Sequence, residues 1–199
     1  MIKVALPIMH GQKIILRPPK SADVEQRLSL GANREYHYQF ADDTTIMLSK
    51  EELEKRWFEE AVAYPDETTR LKADQHVAQI EADEQWIGSA TLNNIDTRHR
   101  RAEMTLGIYN REYQGAGYGT EATRLMLDYA FNHLKLHRAG INILLSNQRS
   151  IVAAKKVGFS FDGLSRDYFY LSGKWIDSVR LVILEDEFQR RYADSQTAR

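Results

Sequence analysis

Apolar and polar positions along this chain repeat with two different periods, and the change of period marks its elements. Ala102, Met104, Leu106 and Ile108 alternate with other residues, which predicts a strand over 101–109. Farther on, Ala122, Leu125, Met126, Tyr129, Ala130 and His133 recur at three- and four-residue spacing, which predicts an amphipathic helix. Ile141, Ile143, Leu144 and Leu145 follow Gly140 and predict a buried strand over 141–145. Asn147 is placed to cap a helix carrying Ile151, Ala154 and Lys155, with Gly158 as its stop. Two strands, 161–171 and 175–184, flank Ser172, Gly173 and Lys174, a hairpin signal. Residues after about Arg191 have the composition of a frayed end.

The first half is less periodic. Ile14, Ile15 and Leu16 predict a short strand over 13–17, stopped by Pro18 and Pro19. Ser21 or Asp23 would cap a helix to Leu30, broken at Gly31. Ser49 and Glu52 have capping-box spacing, for a helix through Leu53, Trp57 and Ala61 that ends before Pro65. A polar loop over 66–74 leads to strands at 76–81 and 86–92, with Gly88 at a bulge, and 94–100 forms a polar connection. This order predicts an α+β (mixed α/β) layer on a largely antiparallel sheet. The strand–helix–strand unit at 101–145 should pair in parallel through a right-handed crossover. Without repeats or linker-like stretches, one domain over 1–199 is expected, its core at about 13–184.

Composition narrows the function classes. The chain has 199 residues, 27 basic and 28 acidic, for a net charge of −1. That balance argues against nucleic acid as a partner. There are no cysteines, so disulfides, cysteine–zinc sites and thiol nucleophiles are excluded. No apolar run approaches a membrane span, and the start lacks a secretory pattern, so a cytoplasmic location without membrane contact is expected. His133 and His137 lie one turn apart but without surrounding carboxylates, and no metal is expected.

The densest chemistry lies between the 101–109 strand and the long helix, in Gln114, Gly115, Ala116, Gly117, Tyr118, Gly119, Thr120 and Glu121. The first N–H groups of a helix have no partner within it, and the helix start carries a partial positive charge. Glycines let an oxygen-rich anion approach the backbone there, and a pyrophosphate suits that geometry. A nucleotide P-loop would need a lysine after the last glycine, and a dinucleotide fingerprint would need glycine at Thr120; neither is present. A glycine-rich turn with no ligand is the plain alternative.

The run from Gln114 to Gly119 resembles the acetyl-CoA pyrophosphate loop of GNAT acetyltransferases, and Thr120, Glu121 and Ala122 continue it as in their RimJ/RimL branch. Asn147 and Ser150, then Lys156, Gly158 and Phe159, resemble the branch's second signature. Residues 170–177 resemble its closing hairpin, and Leu16, Arg17 and Pro18 its opening. The resemblance implies acetyl-CoA as cofactor and a mostly antiparallel sheet of about seven strands, with a splayed parallel pair and helices on both faces. It implies backbone contacts to the pantetheine arm near Gly107, Ile108 and Tyr109, where an N–H would also hold charge on the thioester oxygen. The implied reaction is direct attack by an amine, which needs alignment, a base and an acid. Glu103 is the candidate base, through water, with an exposed or arginine-paired carboxylate as the plain alternative. Ser150 is the candidate acid or a cofactor contact, and Asn147 a cap that also meets the pantetheine. Lys155, Lys156 and Arg149 are candidates for the nucleotide phosphates. Many GNAT enzymes carry a tyrosine acid where this chain has Ala154; Tyr168 and Tyr170 on the closing hairpin could substitute, with packing or rim residues as the plain alternative, and Asp167 is the nearest hairpin acid.

Acceptor choice in the family falls on the first two helices and the closing hairpin. Glu35, Tyr36, His37, Tyr38, Asp42, Asp43, Trp57 and Glu59 there would suit a cationic amine, or form a plain solvated surface. A peptide or protein N-terminus, a small polyamine- or aminoglycoside-type amine, and a non-catalytic acyl-CoA-binding role remain open, in a monomer or homodimer.

Overall fold

The computed structural model describes residues 3–31, 51, 61–62, 73, 75–171 and 173–192. Its elements are β1 (Lys3–Ala5), β2 (Met9–His10), β3 (Ile15–Arg17), α1 (Ser21–Gly31), β4 (Ala61–Val62), β5 (Gln75–Ala82), β6 (Gln85–Asp96) and β7 (Arg101–Ile108). There follow α2 (Tyr118–Asp128), β8 (Arg138–Leu144), α3 (Gln148–Val157), β9 (Ser160–Leu171), β10 (Lys174–Leu184) and α4 (Glu185–Tyr192). The strands form one 10-stranded sheet in the order β2-β3-β5-β6-β7-β8-β10-β9, with β1 joined to β5 and β4. Pairing is antiparallel except for β1 with β4 and β5, and β7 with β8. The sheet exceeds the expected size because β1, β2 and β4, two or three residues each, are too short to leave a periodic signal.

Register explains the two faces. Ala78 lies opposite Ala90, which lies opposite Leu106; His76, Leu92 and Met104 line up in the same way. This face is covered by α2, whose Ala122, Met126 and Leu127 are buried. Burying a side chain such as Leu127 contributes roughly 1.5–3 kcal/mol. On the other face, α1 is fixed by Arg17, which binds Asp23 through both terminal nitrogens at 2.8 and 2.7 Å and also pairs with Glu81. Burial alone would lower the Arg17 pKa, but these carboxylates outweigh it and raise it. Burial likewise pushes the Glu81 carboxyl up, yet the Arg17 and Lys20 hydrogen bonds hold it below the ordinary range.

Several boundaries differ from the sequence reading. Asp23 lies inside the first turn of α1 rather than at its cap, accepting the Lys20 N–H at 2.7 Å. α1 extends through Gly31, and β8 begins at Arg138, so Gly140 is a strand residue. A Cβ at Gly140 would stand 2.6 Å from a Glu103 oxygen, so this glycine makes room for that carboxylate. β6 runs to Asp96, leaving only a tight turn before β7. The register shift beside Gly88 is the expected bulge. Ala61 and Val62, expected in a helix, instead pair with β1, a tertiary contact that overrides local propensity. Most of that helix and of the 66–74 loop lie outside the described residues, as do Glu35, Tyr36, His37, Tyr38, Asp42, Asp43, Trp57 and Glu59. The long helix ends in a π turn at Tyr129–His133, and α4 follows β10 directly, with no counterpart in the sequence reading.

Candidate active site

The parallel pairing of β7 with β8 has only three register positions and stops at Glu103 and Gly140. Beyond them the strands part: β7 continues to Ile108 along β6, and β8 to Leu144 along β10. This is the splay that the resemblance implied. The opening becomes a cleft of about 570 Å³ between α2 and α3, on the sheet face covered by α2. Met104, Leu106, Ile108, Ile141 and Ile143 give it an apolar floor.

One wall is the glycine run. Gln114 donates its side-chain N–H to the Ile108 carbonyl at 2.9 Å and accepts from Arg149 at 3.1 Å, bridging the end of β7 to α3. Gly115 and Gly117 have φ of +88° and +93°, which disfavour any side chain. Gly117 is the N-cap of α2 and offers no side-chain oxygen to the first-turn N–H groups. No atom lies within 4 Å of where its Cβ would be, so the backbone here faces open space. Gly115, Gly119 and Thr120 also line the cleft. The wall is therefore a bare helix start with room for an anion beside it.

The facing wall is the start of α3. Asn147 accepts the Ser150 N–H at 3.1 Å, and both residues line the cleft. Arg149 and Lys156 lie in this wall, whereas Lys155 does not. Lys155 sits one residue out of phase with the wall, since residues 152, 153 and 156 share the inward face. Ala154 lines the cleft where a tyrosine would bring a hydroxyl. Tyr113, which the sequence reading passed over, also lines it; burial and then the nearby Asp83 raise its phenol pKa, so it stays neutral.

Other candidates fall outside the wall. Gly107 packs in the sheet against Gly88, where a side chain on Gly88 would strike its carbonyl. Tyr109 stacks on Trp86 with centroids 5.5 Å apart, and the Arg27 guanidinium lies 5.0 Å from its ring. Tyr118 packs edge-on to Tyr113, and the Ala116 carbonyl is taken by Lys13. Tyr168 and Tyr170 are exposed on the hairpin, Tyr170 packing on Trp175. Asp167 donates its N–H to Asp177. His133 stacks on Tyr129, and His137 lies 3.9 Å from Glu185. Among the described residues no group of three or more metal-binding side chains comes together.

Glu103 projects from the opposite side of the sheet, at the point where the strands part. One carboxylate oxygen pairs with Arg180, and the other is buried without a partner among the described residues. Arg180 also meets Asp162 at 3.2 Å, and Arg138 meets Asp162 at 2.7 Å. A register shift in the β9–β10 pairing falls at Asp162, and such a bulge re-aims the side chain. A bonded chain of charges thus backs the splay on the face away from the cleft. No helix among the described residues is long and apolar enough to cross a membrane.

Comparison with known proteins extends this geometry. The acetyltransferase (GNAT) domain family matches residues 13–160. A spermidine N(1)-acetyltransferase of Escherichia coli (strain K12) is 28% identical over 190 residues, covering 92% of this chain and 91% of that protein. A protein of Bacillus subtilis (strain 168) named as a probable N-acetyltransferase is 27% identical over 193 residues, covering 90% of this chain and 98% of that protein. Among solved structures, the spermidine N-acetyltransferase of Vibrio cholerae in complex with CoA and spermine superposes with a TM-score of 0.74 at 23% identity, over 89% of this chain and 99% of that one.

Proposed function

The chain belongs to the acetyltransferase (GNAT) domain family and is an N-acetyltransferase that uses acetyl-CoA, and we propose that its acceptor is a small cationic amine of the polyamine class, acetylated by direct attack in a ternary complex. The observation that carries the reading is the meeting of two features on one cleft: the parted strands β7 and β8, and the uncapped start of α2. The acceptor class is supported by the spermidine acetyltransferase relative, which matches over nine-tenths of both chains.

The residues present fit this cofactor. The bare first turn of α2 with Gly115 and Gly117 suits a pyrophosphate, Arg149 and Lys156 add positive charge, and the apolar floor suits an alkyl arm. When bound, acetyl-CoA supplies an activated acyl group and a thiolate leaving group. Ser150, in the wall and held at its N–H by Asn147, is proposed to deliver a proton to the leaving sulfur. Glu103 is proposed to receive the amine's proton through water, at the oxygen that Arg180 does not engage. Asn147 is proposed to act by fixing the start of α3 through its bond to the Ser150 N–H.

A second reading takes a peptide N-terminus as the acceptor, since the same cleft and Ser150 would serve any primary amine. A thiol-release assay with spermidine, spermine and a set of short peptides separates the two. Turnover with polyamines and none with peptides supports the first reading. Turnover confined to peptides replaces it with the second.

A further inference from the structure

The glycine run is held from outside by a piece of chain far away in sequence. The turn between β2 and β3 closes with the Gly11 N–H on the Ile14 carbonyl at 2.8 Å. Its next two N–H groups, of Gln12 and Lys13, donate to the carboxylate of Glu121 in the first turn of α2; the Lys13 contacts measure 3.2 and 3.3 Å. A side chain at Gly11 would collide with that carboxylate. The Lys13 ammonium then reaches the Ala116 carbonyl at 3.0 Å and lies 5.8 Å from the centre of the Tyr118 ring. Neither Lys13 nor Glu121 lines the cleft.

We propose that Lys13 is a positioning residue for the cofactor, acting through the Ala116–Gly117 peptide. Across a trans peptide, the carbonyl and the following N–H point in opposite directions. There are no cis peptides among the described residues. With the Ala116 carbonyl drawn outward to Lys13, the Gly117 N–H is turned inward, toward the open space of the cleft. Lys13 thereby aims a backbone donor at the pyrophosphate without touching it. Glu121 has the complementary task. A carboxylate in the first turn of α2 would repel a diphosphate, and the Gln12 and Lys13 N–H groups draw it to the outer side of the helix. The same two bonds bring Lys13 into place. Both effects are felt only by a ligand that carries a pyrophosphate.

That last point supplies the test, which rests on the cofactor assignment but fails separately from it. Wild type, Lys13→Met and Lys13→Arg are titrated calorimetrically with CoA and with pantetheine, which lacks the nucleotide and pyrophosphate. They are also assayed with acetyl-CoA and with S-acetyl-pantetheine. Lys13 is exposed, so Lys13→Met is expected to fold, and its unfolding midpoint without ligand checks this. Loss of one aimed donor to an anion should weaken CoA binding about tenfold and raise the KM for acetyl-CoA in proportion. The kcat should stay within about twofold of wild type, and the pantetheine-based ligands should be unaffected. Lys13→Arg should recover most of the loss, because it still donates to the Ala116 carbonyl. Equal weakening toward CoA and pantetheine, or none toward either, overturns the proposal. A wild-type protein that binds no CoA overturns the cofactor assignment itself.

Discussion

The two helices that border the cleft begin in opposite ways. α2 starts at Gly117, with φ of +93° and no side-chain oxygen on its first-turn N–H groups. α3 starts at Asn147, whose side chain accepts the Ser150 N–H. Both starts carry the same partial positive charge. Of the two, α2 is the one without a side-chain cap, which is why the proposed anion site is placed there. α3 has turned part of its donor capacity inward and presents side chains instead: Ser150, Arg149 and Lys156. On the proposed reading, one helix start acts through its backbone and the other through its residues. Binding and chemistry should separate along that line when the two starts are altered one at a time.

The largest expected effect breaks the backbone side. Gly117→Glu puts a carboxylate at the bare helix start and should weaken CoA binding about a thousandfold, several kcal/mol of like-charge repulsion. A non-glycine residue at this positive φ costs about 1–2 kcal/mol, and no atom stands within 4 Å of the new Cβ, so the fold should survive with a lower unfolding midpoint. Calorimetric titration with CoA beside a thermal scan checks both; unchanged affinity would remove the glycine run from the cofactor site. Next come the groups assigned to proton transfer. Ser150→Ala keeps the N–H that Asn147 holds and removes only the hydroxyl, so kcat should fall about 100-fold while CoA affinity stays at the wild-type value. Glu103→Gln should lower kcat by a similar factor of about 100 and alter the pH–rate profile, since the amide no longer takes a proton. A profile of wild-type shape would leave Glu103 as the ion-pair partner of Arg180 and nothing more.

The same contrast shows what a sequence can disclose. A helix start is written in adjacent residues, so Gly115 to Gly119 and the Asn147 cap were legible, as were the alternation in β7 and the hairpin of β9 and β10. Contacts made by chain segments distant in sequence were not. Nothing near Lys13 points to Ala116, about a hundred residues away, and nothing near Asp162 points to Arg138 and Arg180. Arg17, noticed as part of an opening motif, turned out to be the anchor of α1 through Asp23 and Glu81. Choosing Lys156 over Lys155 needed the rotation of α3 about its axis, which the apolar pattern sets only to within a residue. Three strands escaped because pairing, not composition, makes them strands.

The smallest effect tests the comparison from the other side. Asn147→Ala removes the side-chain acceptor from the start of α3, and loss of such a cap costs about 1 kcal/mol. In a chain of this size that lowers the unfolding midpoint by roughly 2–4 °C. If α3 contributes only side chains to the cleft, the freed Ser150 N–H does not create a second anion site. Arg149 and Lys156 remain in place, and CoA affinity should change less than about twofold. The kcat should fall by more than the stability loss explains, because the Ser150 backbone is no longer held and its hydroxyl loses its aim. A gain in CoA affinity would mean that an uncapped α3 competes for the phosphates. The two helix starts would then be interchangeable, and their division of labour would rest on the asparagine alone.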